Sequence, residues 1–139
     1  MKRKIKSYIK YYSNIIFPIL VCITCYFIQH KSGIFLLTDD KASALISIAT
    51  EFISVLLTIL TIYLAVPKNP VKIKQLKESK HQHIYLSNIL TGITFAFLSI
   101  LSWLLWNNAL FAVILFMGSI SNIIITIYYT FSLIKIMES

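Results

Sequence analysis

Four apolar segments limit what this chain can fold into more than any other feature of the sequence. They cover residues 12–29, 43–66, 84–106 and 109–134. Each is about as long as the roughly 20 helical residues that cross the hydrocarbon core of a bilayer. The stretches between them are too short to form a soluble domain. The sequence therefore predicts an all-α membrane protein, with one transmembrane domain over residues 1–139 built as a four-helix bundle.

The charged residues agree with this prediction and indicate an orientation. They make up 13% of the chain, against 58% hydrophobic residues, whereas soluble domains carry roughly 25% charged residues. Of the 13 lysines and arginines, only Lys31 and Lys41 lie in the connections on the opposite side from the termini. The positive-inside rule then places both termini and the middle loop in the cytoplasm. A net charge of +8 placed in this way indicates the lipid bilayer, and no nucleic acid, as partner.

The second span carries a polar seam on an otherwise apolar helix. At 100° per residue, its hydroxyl-bearing residues and its one acid fall on the same side of the helix. In a bilayer we expect such a seam to face the interior of the bundle or water, because acyl chains offer no hydrogen-bond partners. The residues assigned to this seam of the second span are Ser47, Thr50, Glu51, Ser54 and Thr58.

Polar residues also mark the third and fourth spans. The third span has its own seam, which we expect to face the second span. Its members are Ser87, Thr91, Thr94, Leu98 and Ser102. On the fourth span, Asn122 lies at mid-depth and needs a partner in the bundle or an aqueous path. We therefore add Asn122, together with Thr91 of the third span, to the candidate polar residues of the second-span seam. Asn107 and Asn108 predict a tight turn, which makes the third and fourth spans an antiparallel pair.

Glu51 is the acid within a span, and its sequence context leaves three interpretations open. An ionised carboxylate at that depth costs several kcal/mol unless it is protonated, paired or hydrated. Facing water, Glu51 would attract cations as part of a ring in an oligomer, whereas in a dry setting it would be the proton site of a carrier. Hydrogen-bonded to Thr91 or Asn122, it would only join helices. Within one chain, a cationic partner would have to be Lys31 or Lys41 reaching down from the membrane surface.

The sequence lacks the residues for most other chemistry. Cys22 and Cys25 form a CxxC within the first span. We favour packing over redox or zinc chemistry there, because a thiolate needs a polar setting and zinc usually takes four ligands. His81 and His83 lie beside a polar loop without further ligands nearby, and neither an acid pair nor a nucleophile beside a base is recognisable. We expect no enzyme activity, no metal and no cofactor.

The loop between the second and third spans is rich in lysine. Its cations are Lys68, Lys72, Lys74, Lys77 and Lys80. They are candidate contacts for anionic lipid headgroups or for an anionic ligand, and the orientation of the chain alone would also explain them. A nucleotide is disfavoured because the loop has neither a Gly-rich phosphate motif nor an arginine.

The layout as a whole consists of four spans with both ends inside, a Ser/Thr-rich second span, a lysine-rich middle loop and a minimal last hairpin. Two short sequence segments accompany this layout. They are Cys25, Tyr26 and His30 at the end of the first span, and Ile73, Lys74 and Gln75 in the basic loop. Together they resemble the RexB family, the membrane component of a lambda-phage exclusion system, over most of the chain. The family has no catalytic motif to carry over, and Glu51 departs from its pattern.

What the resemblance implies is an inner-membrane, channel-like protein that depolarises the host during phage infection, an antiviral defence by abortive infection, with a cytoplasmic sensor as partner. A pore of this kind would be a homo-oligomer, because one four-helix unit with a filled centre leaves no conduit. Two other classes of function stay open. One is a small proton-coupled transporter that uses Glu51, and the other is an immunity or binding protein that acts within the membrane.

Overall fold

A computed structural model describes the backbone of residues 2–33, 39–65 and 81–138, and the side chains of residues 12–33, 40–41, 43–65 and 82–132. Within these ranges the chain forms four helices and no strand. They are α1 (Lys2–Ser32), α2 (Asp39–Ala65), α3 (His81–Trp106) and α4 (Ala109–Glu138). The predicted lysine contacts at Lys68, Lys72, Lys74, Lys77 and Lys80, and residue 66 of the second predicted span, lie outside the described residues.

Each helix contains one segment long and apolar enough to cross a membrane. These segments are Tyr12–Ser32, Ser43–Ala65, Gln82–Trp106 and Ala109–Ser132, and they match the four predicted spans to within a few residues. Large apolar side chains cover the outside of the bundle, with Phe27, Leu105 and Phe131 all more than 60% exposed. Such a surface suits lipid and would be a liability in water. The all-α, four-helix membrane fold is therefore confirmed, and the chain is a multi-pass membrane protein.

α3 and α4 form the central hairpin of the fold. The predicted tight turn is confirmed, because only Asn107 and Asn108 separate the two helices. Asn107 adopts a left-handed conformation with φ of 48°, which asparagine tolerates better than most residues. The side-chain oxygen of Asn108 accepts a hydrogen bond from the backbone N–H of Phe111 at 3.1 Å and so caps the start of α4.

Hydroxyl groups join the two helices of this hairpin at several levels. Ser99 donates to the carbonyl of Ala112 at 2.6 Å, and Ser119 donates to the carbonyl of Gly92 at 3.1 Å. Both serines are fully buried, so each bond pairs a hydroxyl with a carbonyl inside the hairpin. Small residues at these positions let the two backbones approach closely, as is usual between transmembrane helices.

α1 and α2 lie on opposite sides of this hairpin although they are consecutive in the chain. α1 packs mainly against α4, and α2 mainly against α3, while α1 and α2 scarcely touch. α2 packs through apolar side chains, with Leu56 against Tyr85 and Ile89 in one cluster. In a second cluster, Phe52 stacks on Phe116 with ring centroids 5.4 Å apart. This arrangement leaves one whole side of α2 facing away from the bundle.

Candidate functional site

The polar seam of the second span, which we call the α2 seam, lies on the side of α2 that faces away from the bundle. Leu45, Ala49 and Leu56 are the buried side chains of α2, and Ser54 is about 180° around the helix from Leu45. All members of the seam are exposed, namely Ser47, Thr50, Glu51, Ser54 and Thr58. The expectation that the seam faces the interior of the bundle is therefore wrong for a single chain. The reason is packing, because α2 uses its apolar side to contact α3 and α4.

The hydroxyl groups of the seam satisfy themselves within α2. Each donates a hydrogen bond to the backbone carbonyl four residues earlier, as Thr58 does to Ser54 at 2.8 Å and Thr50 to Ile46 at 2.9 Å. Ser54 and Ser47 do the same at 3.1 and 3.3 Å. Back-bonded hydroxyls of this kind are tolerated at a lipid surface. The hydroxyls alone therefore do not require the seam to be covered.

The back-bonding that satisfies the hydroxyl groups does not apply to the carboxyl group of Glu51. It lies eight residues from Ser43, where the membrane-crossing segment of α2 begins, which places it about 12 Å along the helix. Its side chain is exposed on the outward side. The nearest cation on the same helix, Lys41, is ten residues or about 15 Å away. Glu51 is thus a carboxyl group at hydrocarbon depth on the outside of the bundle.

The surface around Glu51 is an open concavity of about 620 Å³. Its lining residues all belong to α2, and they are Ile46, Ser47, Thr50, Glu51, Ser54 and Val55. Among the described residues one helix supplies this lining, so the described part of the chain leaves the surface open on its far side. A ligand or a second helix would have to provide the opposite wall.

Thr91 and Asn122 do not join this surface. Thr91 is half-buried on α3 and donates to the carbonyl of Ser87 at 2.7 Å, and Asn122 is fully buried between α3 and α4. Glu51 faces outward on the far side of α2 from both. The interpretation of Glu51 as structural glue to Thr91 or Asn122 is therefore wrong within one chain.

The seam predicted on the third span is also placed differently. Ser87 accepts a hydrogen bond from Asn14 of α1 at 2.9 Å, and Thr94 and Leu98 are exposed. Because α2 presents an apolar side, α3 meets it with Tyr85 and Ile89. The prediction that this seam faces the second span is therefore wrong.

A buried group of polar residues lies instead between α1, α3 and α4. Asn88 donates to the carbonyl of Asn122 at 2.8 Å and to the hydroxyl of Thr126 at 2.6 Å, and Asn14 joins through Ser87. Sequence reasoning identified Asn122 as needing a partner but missed Asn14. The position of Asn14 four residues before Pro18 signals a backbone carbonyl without its helical donor, but it does not indicate that the side chain is buried.

The CxxC of the first span is a packing feature at Cys22. Its thiol donates to the carbonyl of Ile114 on α4 at 3.3 Å. The neighbouring α4 residue Gly118 leaves room for it, since an added Cβ would come within 2.8 Å of the sulfur. Both cysteines are free. Among the described residues, no group of three His, Cys, Asp or Glu side chains is placed to hold a metal ion.

Comparisons with protein-family models, with curated proteins and with solved structures find no match for this chain. The resemblance to the RexB family thus remains one of layout and of short sequence pieces. The function has to be argued from Glu51 and the surface around it.

Proposed function

We propose that this protein is a pore-like effector that assembles as a homo-oligomer in the bacterial inner membrane and depolarises it. In the assembly, the α2 seams of several copies surround a shared aqueous path with Glu51 as a ring of carboxylates. The observation that carries the proposal is the position of Glu51, a carboxyl group at hydrocarbon depth on the outside of the bundle.

A conduit inside a single chain has no support from the packing. The side chains that fill the described part of the bundle are closed to solvent, with Leu56, Ile89 and Asn122 all 0% exposed. A path for ions therefore belongs between copies. Intramembrane ionisable residues normally face a bundle interior or a water-filled cavity, and an assembly would place Glu51, which the described part of the chain leaves exposed, in such a setting.

The length of the α2 seam favours a continuous aqueous path over an isolated proton site. Extended to Thr61, it covers 15 residues, or about 21 Å of helix, which is most of the roughly 30 Å hydrocarbon thickness. Thr61 extends the same pattern, with its hydroxyl bonded to the carbonyl of Leu57 at 2.8 Å. A carrier's proton site would need polar groups only around Glu51.

The biological role within this proposal is phage exclusion by abortive infection, and it rests on the resemblance to the RexB family. Both termini and the lysine-rich loop then face the cytoplasm, which is where a sensor protein would bind. That loop would contact anionic lipid headgroups at about 1 kcal/mol per lysine.

A proton-coupled transporter is the second candidate, favoured by the lack of any cation near Glu51 on α2. The two candidates, the pore and the transporter, differ in what crosses the membrane. A pore passes cations down their gradient alone, whereas a carrier that uses Glu51 moves protons in a fixed ratio with its substrate.

An immunity or binding protein would instead cover the seam with a helix of another protein, and would give no flux by itself.

The experiment is a cation-flux assay on the full chain in liposomes, with Glu51→Gln as the test and Asp40→Asn as the matched control. Both changes remove one negative charge from α2, but Asp40 lies outside the membrane-crossing segment. We expect the unmodified chain to dissipate a potassium diffusion potential, Glu51→Gln to slow this dissipation several-fold, and Asp40→Asn to leave it unchanged. Glu51→Leu should also disturb assembly. Full activity of Glu51→Gln over a range of pH would refute both the ring and the carrier.

A further inference from the structure

The buried polar group between α1, α3 and α4 contains three asparagines at neighbouring levels. Asn14 is 1% exposed, and Asn88 and Asn122 are 0% exposed. Ser87, which bonds to Asn14, is next to Asn88 in sequence. Asn122 lies against Gly92, one helical turn further along α3, where an added Cβ would come within 3.1 Å of the asparagine's own Cβ. We call Asn14, Asn88 and Asn122 the amide cluster.

The hydrogen bonds of this cluster are incomplete in a specific way. The side-chain nitrogens of Asn14 and Asn88 donate to Ser87, to Thr126 and to a backbone carbonyl. The side-chain oxygens of all three asparagines, and the side-chain nitrogen of Asn122, have no partner among the described residues. Three acceptors and one donor are thus enclosed at a depth where lipid cannot satisfy them.

The mixture of donors and acceptors selects the ligand. A cation could bind the amide oxygens but would leave the Asn122 nitrogen unpaired, and an anion could accept from that nitrogen but would repel the oxygens. Water both donates and accepts, and typically makes about three hydrogen bonds to buried polar groups. The cluster therefore has the chemistry of a water site.

The helix that carries Asn14 is weakened at the same point. Pro18 is fully buried within α1 and has no N–H, so the backbone carbonyl of Asn14, four residues earlier, loses its helical donor. Transmembrane helices bend at such positions, and ordered water commonly satisfies the freed carbonyl. α3 and α4, by contrast, are joined by the serine bonds of the hairpin.

We propose that the amide cluster is an internal water-binding site, and that α1 admits the water by tilting at Pro18. The site lies inside each subunit, whereas the proposed pore lies on the outward side of α2, so the site does not depend on the pore. It makes the interior between α1, α3 and α4 a hydrated polar centre.

The test is water-edited NMR on the full chain, uniformly labelled with ¹⁵N, in nanodiscs of deuterated lipid. We expect magnetisation to pass from water to the side-chain nitrogen of Asn122 almost as readily as to that of Asn108, which is exposed in the turn. The backbone amides of Ala49 and Val113, which are buried in the apolar cluster around Phe116, provide the dry reference. An Asn122 signal as weak as these references would overturn the proposal.

Pro18→Ala tests how the water enters, because it restores the N–H that Asn14's carbonyl lacks. We expect this variant to fold with the same helix content and to lose most of the water transfer to Asn122. Unchanged transfer in Pro18→Ala would overturn the tilt of α1. The measurement on the unmodified chain tests the water site itself, and it does so even if Pro18→Ala fails to insert.

Discussion

Gly118 of α4 packs tightly against α1 and α3, and its replacement by alanine tests the packing of α1 directly. An added Cβ would lie 2.8 Å from the sulfur of Cys22 and 2.8 Å from Cδ1 of Phe95. Carbon atoms pack best at about 3.5 to 4.0 Å, so both neighbours would have to move by roughly 1 Å. Overpacking of this size costs about 1 to 3 kcal/mol, and the better helix propensity of alanine offsets less than about 1 kcal/mol.

We therefore expect Gly118→Ala to lower the free energy of unfolding by about 1 to 2 kcal/mol. Cys22→Ala removes one of the two clashing atoms, so the double variant should be more stable than the sum of the two single changes predicts, by about 1 kcal/mol. Reversible unfolding in bicelles, followed by steric trapping, measures all three. Ser54→Ala on the exposed side of α2 is the control, and it should combine additively with Gly118→Ala. Additivity between Gly118 and Cys22 would refute the contact between α1 and α4.

Three further predictions concern orientation, the hairpin and assembly. Engineered cysteines at Ser32 or Asn107 should react with an impermeant reagent applied to intact cells, and one at Ser79 should not; labelling at Ser79 would reverse the proposed topology. Ser119→Ala should destabilise the fold by about 1 kcal/mol, because its hydroxyl bonds to a buried carbonyl, while Ser47→Ala on the outward side should change the unfolding free energy by less than half of that. Particle mass in nanodiscs should correspond to several copies, and a strictly monomeric particle would count heavily against the pore.

The helices and their turn could be predicted from the sequence because length and hydrophobicity determine them. An apolar segment long enough to cross a bilayer has to close its backbone hydrogen bonds within itself, and this condition depends only on local residues. The turn at Asn107 and Asn108 was equally local. Which side of each helix faces its neighbours was not, because it depends on how all four helices pack.

The direction of the α2 seam illustrates that limit. Sequence reasoning treated every hydroxyl as a group in need of an external partner, but Thr50, Ser54 and Thr58 bond to their own helix. Once these hydroxyls are satisfied, the apolar side of α2 is the better surface to pack on α3. Only Glu51 still needs a polar partner outside its own helix, which the sequence had led us to expect for every residue of the seam.

Sequence reasoning missed the amide cluster because it underestimated the burial of Asn14, whereas for the α2 seam it overestimated the need for burial. Asn14 stands near the start of the first apolar segment, where a polar residue is expected to lie in the headgroup region. In the structure it is 1% exposed and bonds to Ser87, because α1 packs across both α3 and α4. No pattern within one helix indicates that three asparagines from three helices will meet.

The turn between α3 and α4 has a consequence for how the protein is made. It carries two asparagines and no charge, and the nearest charged residues along the chain are Lys80 before it and Lys135 after it. Carrying such a turn across a bilayer during insertion requires the desolvation of a few amides only, so the hairpin can enter the membrane as one piece after α2. Its direction is then decided by the cations that flank it rather than by the turn. A lysine placed at Asn107 or Asn108 would turn this permissive element into a topological signal that competes with the basic loop.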